Sequence, residues 1–295
     1  MYDHILAPTD GSEHADRAAD HAALLAEAFD ATVHLLRVVD IEAAAGPFSA
    51  GGVDDEYIEQ RTAGEREALS ERRATIPEEI PVQTAVTTGS PAEGILEYVR
   101  ETDIDLVVMG THGRSGLRRY LTGSVAERVL RLSPVPVLTV RATEASAVGS
   151  GYGEILVPTD GSERAAAAVA HALAIADTYG GTVHAVNVVN VGDVSTGAEV
   201  GVPAEFLEEL EAAGADATEA VATEARAAGV DVVTEVLTGR PKHELLAYVD
   251  DHDIDLVVMG THGRTGLDRV LLGSTSEALV RRAEVPVLTV CEERA

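Results

Sequence analysis

The chain has 295 residues, of which 45% are hydrophobic and only 3% aromatic, which suits about two domains with cores of aliphatic side chains. Its 50 acidic residues outnumber 22 basic ones, and a net charge of −28 disfavours binding to the phosphate backbone of DNA or RNA. The single thiol, Cys291, excludes an internal disulfide and a cysteine-based metal site.

The first half of the chain alternates short apolar strand patterns with helical patterns. In chain order, these patterns predict a strand at 4–7, a helix that Ser12 caps and that runs to about residue 29, a strand at 32–39, a helix from about 54 to 74, a strand at 81–87, a helix at 91–101, a strand at 106–109, a helix at 123–132 and a strand at 135–140. The Gly-, Ala- and Pro-rich stretch at 43–52 predicts a mobile loop. Strands that alternate with helices favour right-handed crossovers and a parallel sheet.

The second half repeats the first at a constant offset of 150 residues. The segment DIDLVVMGTHGR at 103–114 recurs unchanged at 253–264. The other matching segments are ILAPTDGSE at 5–13 with ILVPTDGSE at 155–163, and VPVLTV at 135–140 with VPVLTV at 285–290. A repeat this long indicates duplicated domains and not a solenoid, whose repeats span about 20 to 50 residues.

The repeat divides the chain into two predicted domains, 1–141 and 154–295. The segment between them, 142–153, is small, polar and rich in Gly and Ser, so we interpret it as a linker. In parallel sheets of this kind, ligands bind beyond the carboxyl ends of the strands. We therefore expect the residues after the first and fourth strands of each copy to share one crevice.

A glycine-rich loop, Gly-x-x-Gly-(nine residues)-Gly-Ser, follows the fourth predicted strand of each copy. Its members are Gly110, Gly113, Gly123 and Ser124 in the first copy, and Gly260, Gly263, Gly273 and Ser274 in the second. Glycines let backbone N–H groups approach an anion, and we expect Gly123 and Ser124 to place free N–H groups at a helix N-terminus. No Lys follows as in a Walker motif, so positive charge has to come from Arg114 and Arg264. The loop predicts a phosphate site, with simple turn formation as the alternative.

These motifs together resemble the universal stress protein family, in particular its ATP-binding branch, over essentially all of both halves. The resemblance rests on PTDGSE after the first strand, on the glycine loop and on the closing VPVLTV strand. It implies an α/β chain with two tandem Rossmann-like domains, similar to the adenine nucleotide alpha hydrolases. Each domain would have a five-stranded parallel sheet flanked by about four helices. The implied ligand is ATP, with Mg²⁺, ADP and AMP left open.

The resemblance also implies roles for individual residues. Each copy would supply an acidic contact to adenosine, a backbone contact to adenine, a methionine that lines the pocket and a loop that holds ribose and phosphates. In the first copy these residues are Asp10, Val38, Met109 and the loop glycines with Ser124 and Val125. In the second copy they are Asp160, Val188, Met259 and the loop glycines with Ser274 and Thr275. Thr275 departs from Val125, and a backbone contact would survive that change.

Several of these residues have a second interpretation. Asp10 can accept hydrogen bonds from hydroxyl groups, or it can cap the helix that follows, a position that Asp favours. His112 and His262 can donate to phosphate or serve only the loop structure. Arg114 and Arg264 can instead be solvated loop residues. For Cys291, which lacks a basic neighbour in sequence, we favour an inert buried thiol.

The sequence does not assign a complete catalytic set. Phosphoryl transfer needs a base, metal ligands and charge neutralisation at the γ-phosphate, and the spacing identifies none of these groups. The leading hypothesis is an ATP-binding stress-response or signalling module without an assigned enzymatic activity. The alternatives are a slow ATPase of the same fold and a nucleotide-free dimerising scaffold.

Association and environment follow from the last strands and the charge. VPVLTV is an apolar sheet edge, and the resemblance implies that the two halves pair through it as an internal pseudo-dimer, with further association between chains left open.

The acidic excess, with Lys242 as the only Lys, resembles proteins of organisms that keep molar salt in the cytoplasm. No apolar run approaches the roughly 18 residues of a membrane span. We expect a soluble, cytoplasmic, halophilic protein.

Overall fold

The chain forms two compact units, Met1–Ala142 (unit 1) and Thr143–Ala295 (unit 2). The computed structural model describes residues 1–40, 55–111, 123–190, 204–261 and 273–291. The loop predicted at 43–52 lies outside these residues. Each unit is described below by itself.

Unit 1 contains five strands and four helices among its described residues. They are β1 His4–Pro8, α1 Glu13–Phe29, β2 Thr32–Val39, α2 Asp55–Arg73, β3 Val82–Thr88, α3 Pro91–Glu101, β4 Leu106–Gly110, α4 Ser124–Leu132 and β5 Val137–Val140. Every predicted element is confirmed, with small differences at the ends. The last strand starts after Pro136, which has no N–H to donate and joins the ladder only as an acceptor from Val107 N–H, at 3.0 Å.

The strands of unit 1 form a parallel sheet in the order β3-β2-β1-β4-β5. The central neighbours β1 and β4 are not consecutive in sequence, so the winding direction reverses between them, which is where α/β sheets bind ligands. Their ladder pairs Ile5 with Leu106 and Leu6 with Val107, and both strands continue beyond the last pair. The carboxyl ends of β1 and β4 therefore flank the point of reversal.

Helices cover both faces of this sheet. On one face, α2 joins α1 through a hydrogen bond from Arg72 to Asp20 at 2.6 Å, and on the other, α4 joins α3 through Arg128 and Glu93 at 2.7 Å. Because both faces are covered, the central strands are continuous apolar runs. The largest fully buried side chains of unit 1 are Tyr2, Ile5, Leu6, Leu25, Leu35, Leu36, Leu106, Leu130 and Leu138. The predicted aliphatic core is confirmed.

Unit 2 repeats this architecture. Its elements are β6 Glu154–Pro158, α5 Glu163–Tyr179, β7 Thr182–Asn190, α6 Ala204–Ala228, β8 Asp231–Gly239, α7 Pro241–Asp251, β9 Leu256–Gly260, α8 Ser274–Arg282 and β10 Val287–Val290. Its strands are parallel in the order β10-β9-β6-β7-β8. The point of reversal lies between β6 and β9, as it does between β1 and β4 in unit 1.

The segment interpreted as a linker is packed where it enters unit 2. Tyr152 is buried, and its ring meets Tyr179 edge to face with 5.6 Å between the ring centroids.

Among the described residues, no helix is both long enough and apolar enough to cross a membrane.

Candidate functional site

A tight turn presents Asp10 at the end of β1. Thr9 N–H donates to Leu36 O at 2.9 Å, which continues the contact with β2 for one residue beyond the strand. Gly11 then adopts a φ of +73°, which glycine reaches without steric cost, and Ser12 N–H donates to Asp10 Oδ1 at 3.0 Å. This side-chain bond two residues onward is an Asx turn. The backbone itself therefore orients the Asp10 carboxylate.

Ser12 and not Asp10 caps helix α1. Ser12 Oγ accepts the N–H of Ala15 at 3.3 Å, which confirms the predicted cap. The alternative that Asp10 is the cap residue is wrong, because its Oδ1 accepts the N–H of the cap residue itself. The carboxylate stands at the strand end, outside the helix.

Unit 2 reproduces this turn with the same hydrogen-bond distances. Ser162 N–H donates to Asp160 Oδ1 at 3.0 Å, and Ser162 Oγ accepts from Ala165 N–H at 3.3 Å. Gly161 has a φ of +75°. The chain thus builds the same carboxylate-presenting turn twice.

The first loop glycine of each unit is needed for packing against a helix. A Cβ on Gly110 would lie 2.8 Å from the backbone carbon of His14, and a Cβ on Gly260 would lie 2.5 Å from the carbonyl oxygen of Arg164. Real Cβ atoms do not approach backbone this closely. These glycines let the end of β4 or β9 rest on the first turn of α1 or α5, a reason different from the predicted approach of an anion.

The N–H of the third loop glycine is not a free donor, so the expectation of a free N–H group is wrong for Gly123. Gly123 N–H donates to Thr111 O at 2.6 Å, and Gly273 N–H donates to Thr261 O at 2.9 Å. Because the amide is already bonded to a carbonyl across the loop, it cannot serve an anion without breaking that bond. Gly123 and Gly273 join the two ends of the glycine loop.

The donors at this helix N-terminus are the next amides along the chain. The first bond inside α4 runs from Glu127 N–H to Gly123 O at 2.9 Å, so the N–H groups of residues 124–126 have no acceptor within the helix. The cap position is Gly123, which has no side chain to supply one. Helix α8 has the same arrangement behind Gly273, with Glu277 making the first bond. An anion at either helix would meet Ser124 and Val125, or Ser274 and Thr275.

The residues expected to face adenine lie on the neighbouring strands. Met109 and Met259 are buried near the ends of β4 and β9. Val38 lies near the end of β2, and α3 approaches it so closely that a Cβ on Gly94 would lie 2.9 Å from Val38 Cγ1. Unit 2 has Glu244 at the position of Gly94. The two units therefore differ in the helix residue at this position.

Two basic residues that the sequence patterns do not single out, His14 and Arg141, lie close to one another at the carboxyl edge of unit 1. His14 Nδ1 accepts the N–H of Ala142 at 2.9 Å, so Nδ1 carries no proton in this arrangement. Burial lowers the pKa of His14, and the charge of Arg141 lowers it further, whereas Glu13 and Asp10 oppose this shift. The carboxyl edge of unit 1 thus combines a guanidinium, an imidazole and a carboxylate.

Unit 2 places Arg164 and Cys291 at the positions of His14 and Arg141. Burial raises the pKa of the Cys291 thiol, and its hydrogen bond with Thr261 lowers the pKa by less. The raised pKa favours the protonated thiol, although Cys291 is half-buried and not fully buried as predicted. Unit 2 therefore carries its basic residue on the first turn of α5 and has a cysteine, not an arginine, directly after its last strand.

Several predicted site residues lie outside the described parts of the chain: His112, Gly113, Arg114, His262, Gly263 and Arg264. Their roles stay predictions. Within the described ranges, no group of three or more His, Cys, Asp or Glu side chains could hold a metal ion.

Known proteins match this chain over nearly its full length or over about half of it. A universal stress protein of Mycolicibacterium smegmatis is 29% identical over 297 residues, which cover 97% of this chain and 96% of that relative. A universal stress protein of Methanocaldococcus jannaschii is 40% identical over 144 residues, or 47% of this chain and 82% of that relative. The crystal structure of a universal stress protein from Archaeoglobus fulgidus superposes with a TM-score of 0.71 and 24% identity, covering 98% of this chain and 96% of that one, and shows the same fold.

The universal stress protein family model matches this chain twice, at residues 1–141 and 151–290. The two matches together span nearly the whole sequence and follow the internal repeat. The chain belongs to the universal stress protein family.

Proposed function

We propose that this protein binds ATP at the carboxyl edge of each sheet and acts as a nucleotide-dependent stress-response or signalling module. One observation carries the proposal: both units combine an oriented strand-end carboxylate with a helix N-terminus whose cap residue has no side chain. The carboxylate can accept hydroxyl hydrogen bonds, and the helix amides can donate to phosphate. A nucleotide has both groups.

A guanidinium at the carboxyl edge of unit 1 supports an anionic ligand in a chain that is otherwise strongly acidic. Arg141 lies close enough to His14 to lower its pKa, and Asp10 is near enough to oppose that effect. Arg114, expected on the glycine loop, would add a second guanidinium. In a protein with a net charge of −28, a guanidinium at this edge would reduce the repulsion that a polyphosphate meets.

Binding is favoured over efficient phosphoryl transfer because the loop provides backbone amides and a helix dipole in place of a lysine. Transfer to water would need a positioned base and charge neutralisation at the γ-phosphate. The proposal therefore has nucleotide occupancy as the signal, with changes in stability or in partner choice as the output.

Calorimetric titration of the full chain with ATP and Mg²⁺ at molar KCl tests this proposal. We expect two nucleotides per chain, and saturation at 100 times Kd should stabilise a unit by about 2.7 kcal/mol. Asp10→Asn and Asp160→Asn should each remove one binding event. Asp177→Asn, on the exposed surface of α5, makes the same chemical change away from the site and should leave both events intact.

Absence of heat and of thermal stabilisation in the unsubstituted chain would overturn the proposal. Phosphate release measured in the same samples identifies the alternative of a slow ATPase, for which turnover should disappear in the Asp10→Asn and Asp160→Asn double variant. Mass spectrometry of nucleotide released from the purified protein would identify the bound base. The pseudo-dimer and the cytoplasmic location stay predictions.

A further inference from the structure

A buried arginine holds the backbone just before Asp10 in unit 1. Arg37, near the end of β2, is 6% exposed, and its Nη1 donates to Thr9 O at 3.1 Å. Its Nη2 lies 2.6 Å from Oε2 of Glu65 on α2. The ion pair therefore links helix α2 to the carbonyl that precedes the Asp10 turn.

Unit 2 makes the same bond without charge. Asn187 stands at the position of Arg37, and its Nδ2 donates to Thr159 O at 2.7 Å. Ala215 replaces Glu65, so the acidic partner has disappeared together with the guanidinium. A Cβ on Gly214 of α6 would lie 2.5 Å from Asn187 Oδ1, which shows how closely the helix approaches the shorter side chain. The two units therefore differ in the charge of the side chain at this position, and both keep its hydrogen bond to the threonine carbonyl.

The hydrogen bond from Arg37 to Thr9 O takes the place of a backbone hydrogen bond between β1 and β2. Thr9 N–H already donates to Leu36 O, and in a regular parallel ladder Thr9 O would accept the N–H of Val38. A side chain from β2 supplies a donor to that carbonyl. Because the carbonyl of Thr9 and the N–H of Asp10 belong to one planar peptide group, fixing the first also fixes the second.

We infer that Arg37 and Asn187 are positioning residues, which fix the Thr9 and Thr159 carbonyls and so hold the turns that present Asp10 and Asp160. Their effect on ligand affinity rests on the proposed nucleotide function, whereas their effect on the turn does not. Unit 1 ties its turn to α2 through an ion pair, and unit 2 uses one neutral amide. The two sites therefore differ in how their acidic residue is held.

Two double variants of the full chain isolate the donor from the charge. Arg37→Asn with Glu65→Ala gives unit 1 the side chains of unit 2, and Arg37→Leu with Glu65→Ala removes the same charges and supplies no donor. Hydrogen exchange of the peptide covering residues 9–12, without nucleotide, should stay near the unsubstituted rate in the first variant. The rate should rise about tenfold in the second, since a donor bond of about 1.4 kcal/mol corresponds to that factor. Equal exchange in both variants would overturn the inference.

Unit 2 provides a simpler test, because the donor is removed and no new side chain has to reach the carbonyl. Asn187→Leu keeps the shape of the side chain and deletes the donor, so exchange of Gly161 and Ser162 should accelerate about tenfold while residues 9–12 are unchanged. Unaltered exchange at Gly161 and Ser162 would contradict the inference. Urea unfolding of each variant checks that the change is local.

Nucleotide affinity separates this inference from the proposed function. In a chain carrying Asp160→Asn, which leaves only the site of unit 1, the Leu-containing double variant should bind ATP about tenfold more weakly than the Asn-containing one. If exchange responds as expected and the unsubstituted chain binds no nucleotide, the proposed function fails and the positioning role stands. If nucleotide binds and neither exchange nor affinity distinguishes the variants, the positioning role fails.

Discussion

The imidazole rings of His4 and His34 meet in unit 1, with 3.2 Å between Nδ1 of His4 and Nε2 of His34. The other ring nitrogen of His34 lies 2.9 Å from the hydroxyl of Tyr98. Unit 2 keeps the histidine and the tyrosine and places Glu154 where unit 1 has His4, with 2.6 Å between Glu154 Oε2 and His184 Nε2. The buried histidine at the amino-terminal end of each sheet therefore faces a different partner, an imidazole in unit 1 and a carboxylate in unit 2.

This difference predicts that His4→Glu makes unit 1 less sensitive to acid. Burial, followed by the charge of protonated His4, lowers the pKa of His34. A lowered pKa means that the folded state resists protonation, so this stability is complete above the ordinary value of about 6.5 and decreases as the pH falls towards the lowered value. With glutamate at position 4, Tm should fall less between about pH 7 and pH 5.

The matched control is His243→Glu, which makes the same substitution at an exposed position on α7. It adds the same negative charge and should keep the pH dependence of the unsubstituted chain. Differential scanning calorimetry follows the transitions over this pH range. Equal slopes for the His4→Glu and unsubstituted chains would contradict the prediction.

The equivalent glycines of α2 and α6 should respond to alanine with opposite signs. A Cβ on Gly64 would meet nothing within 4 Å, so Gly64→Ala should stabilise unit 1 by about 0.5–1 kcal/mol through helix propensity. A Cβ on Gly214 would lie 2.5 Å from Asn187 Oδ1, and Gly214→Ala should cost about 1–3 kcal/mol. Urea unfolding measures both changes, and the same sign for both variants would refute the prediction.

Ser12→Ala should reduce stability and spare the Asp10 turn. The substitution deletes the Oγ that accepts from Ala15, which should cost about 0.5–2 kcal/mol. The bond to Asp10 Oδ1 comes from the backbone N–H of residue 12, so it survives. Ser12→Asp keeps a cap and is the control for the helix. A large loss of ATP affinity in Ser12→Ala, without unfolding, would count against this separation.

Salt should stabilise the protein strongly. A net charge of −28 creates repulsion among surface carboxylates, and the Debye length falls from about 10 Å at 0.1 M to about 3 Å at 1 M salt. Tm should therefore rise as KCl increases from about 0.1 M to several molar. A Tm that does not change over this range would reject the halophilic interpretation.

Features that depend on neighbours in sequence could be predicted, and features that depend on distant partners could not. The cap at Ser12 involves residues within one helical turn, and the pattern of small, polar and apolar residues identifies it. The packing of Gly110 on His14 and the bond from Arg37 to Thr9 join residues that only the fold brings together. No local pattern indicates which carbonyl a buried arginine will reach.

The same distinction explains the error at Gly123. Glycine before a helix correctly predicts an N-terminus without a side-chain cap, and the helix does begin there. The acceptor of its N–H, Thr111 O, lies on the far side of the glycine loop. Whether that amide faces solvent or another carbonyl follows from how the loop closes, which residue spacing does not determine.

The bond between Thr111 O and Gly123 N–H also makes the glycine loop a site that can accept insertions. Because the bond joins the ends of the loop beside the sheet, inserted residues would lengthen a segment whose ends already meet. Doubling the length of such a segment costs only about 0.6 kcal/mol in closure entropy. Each unit should therefore accept extra residues between its two bonded ends, residues 111 and 123 in unit 1 and residues 261 and 273 in unit 2, without altering its strand register.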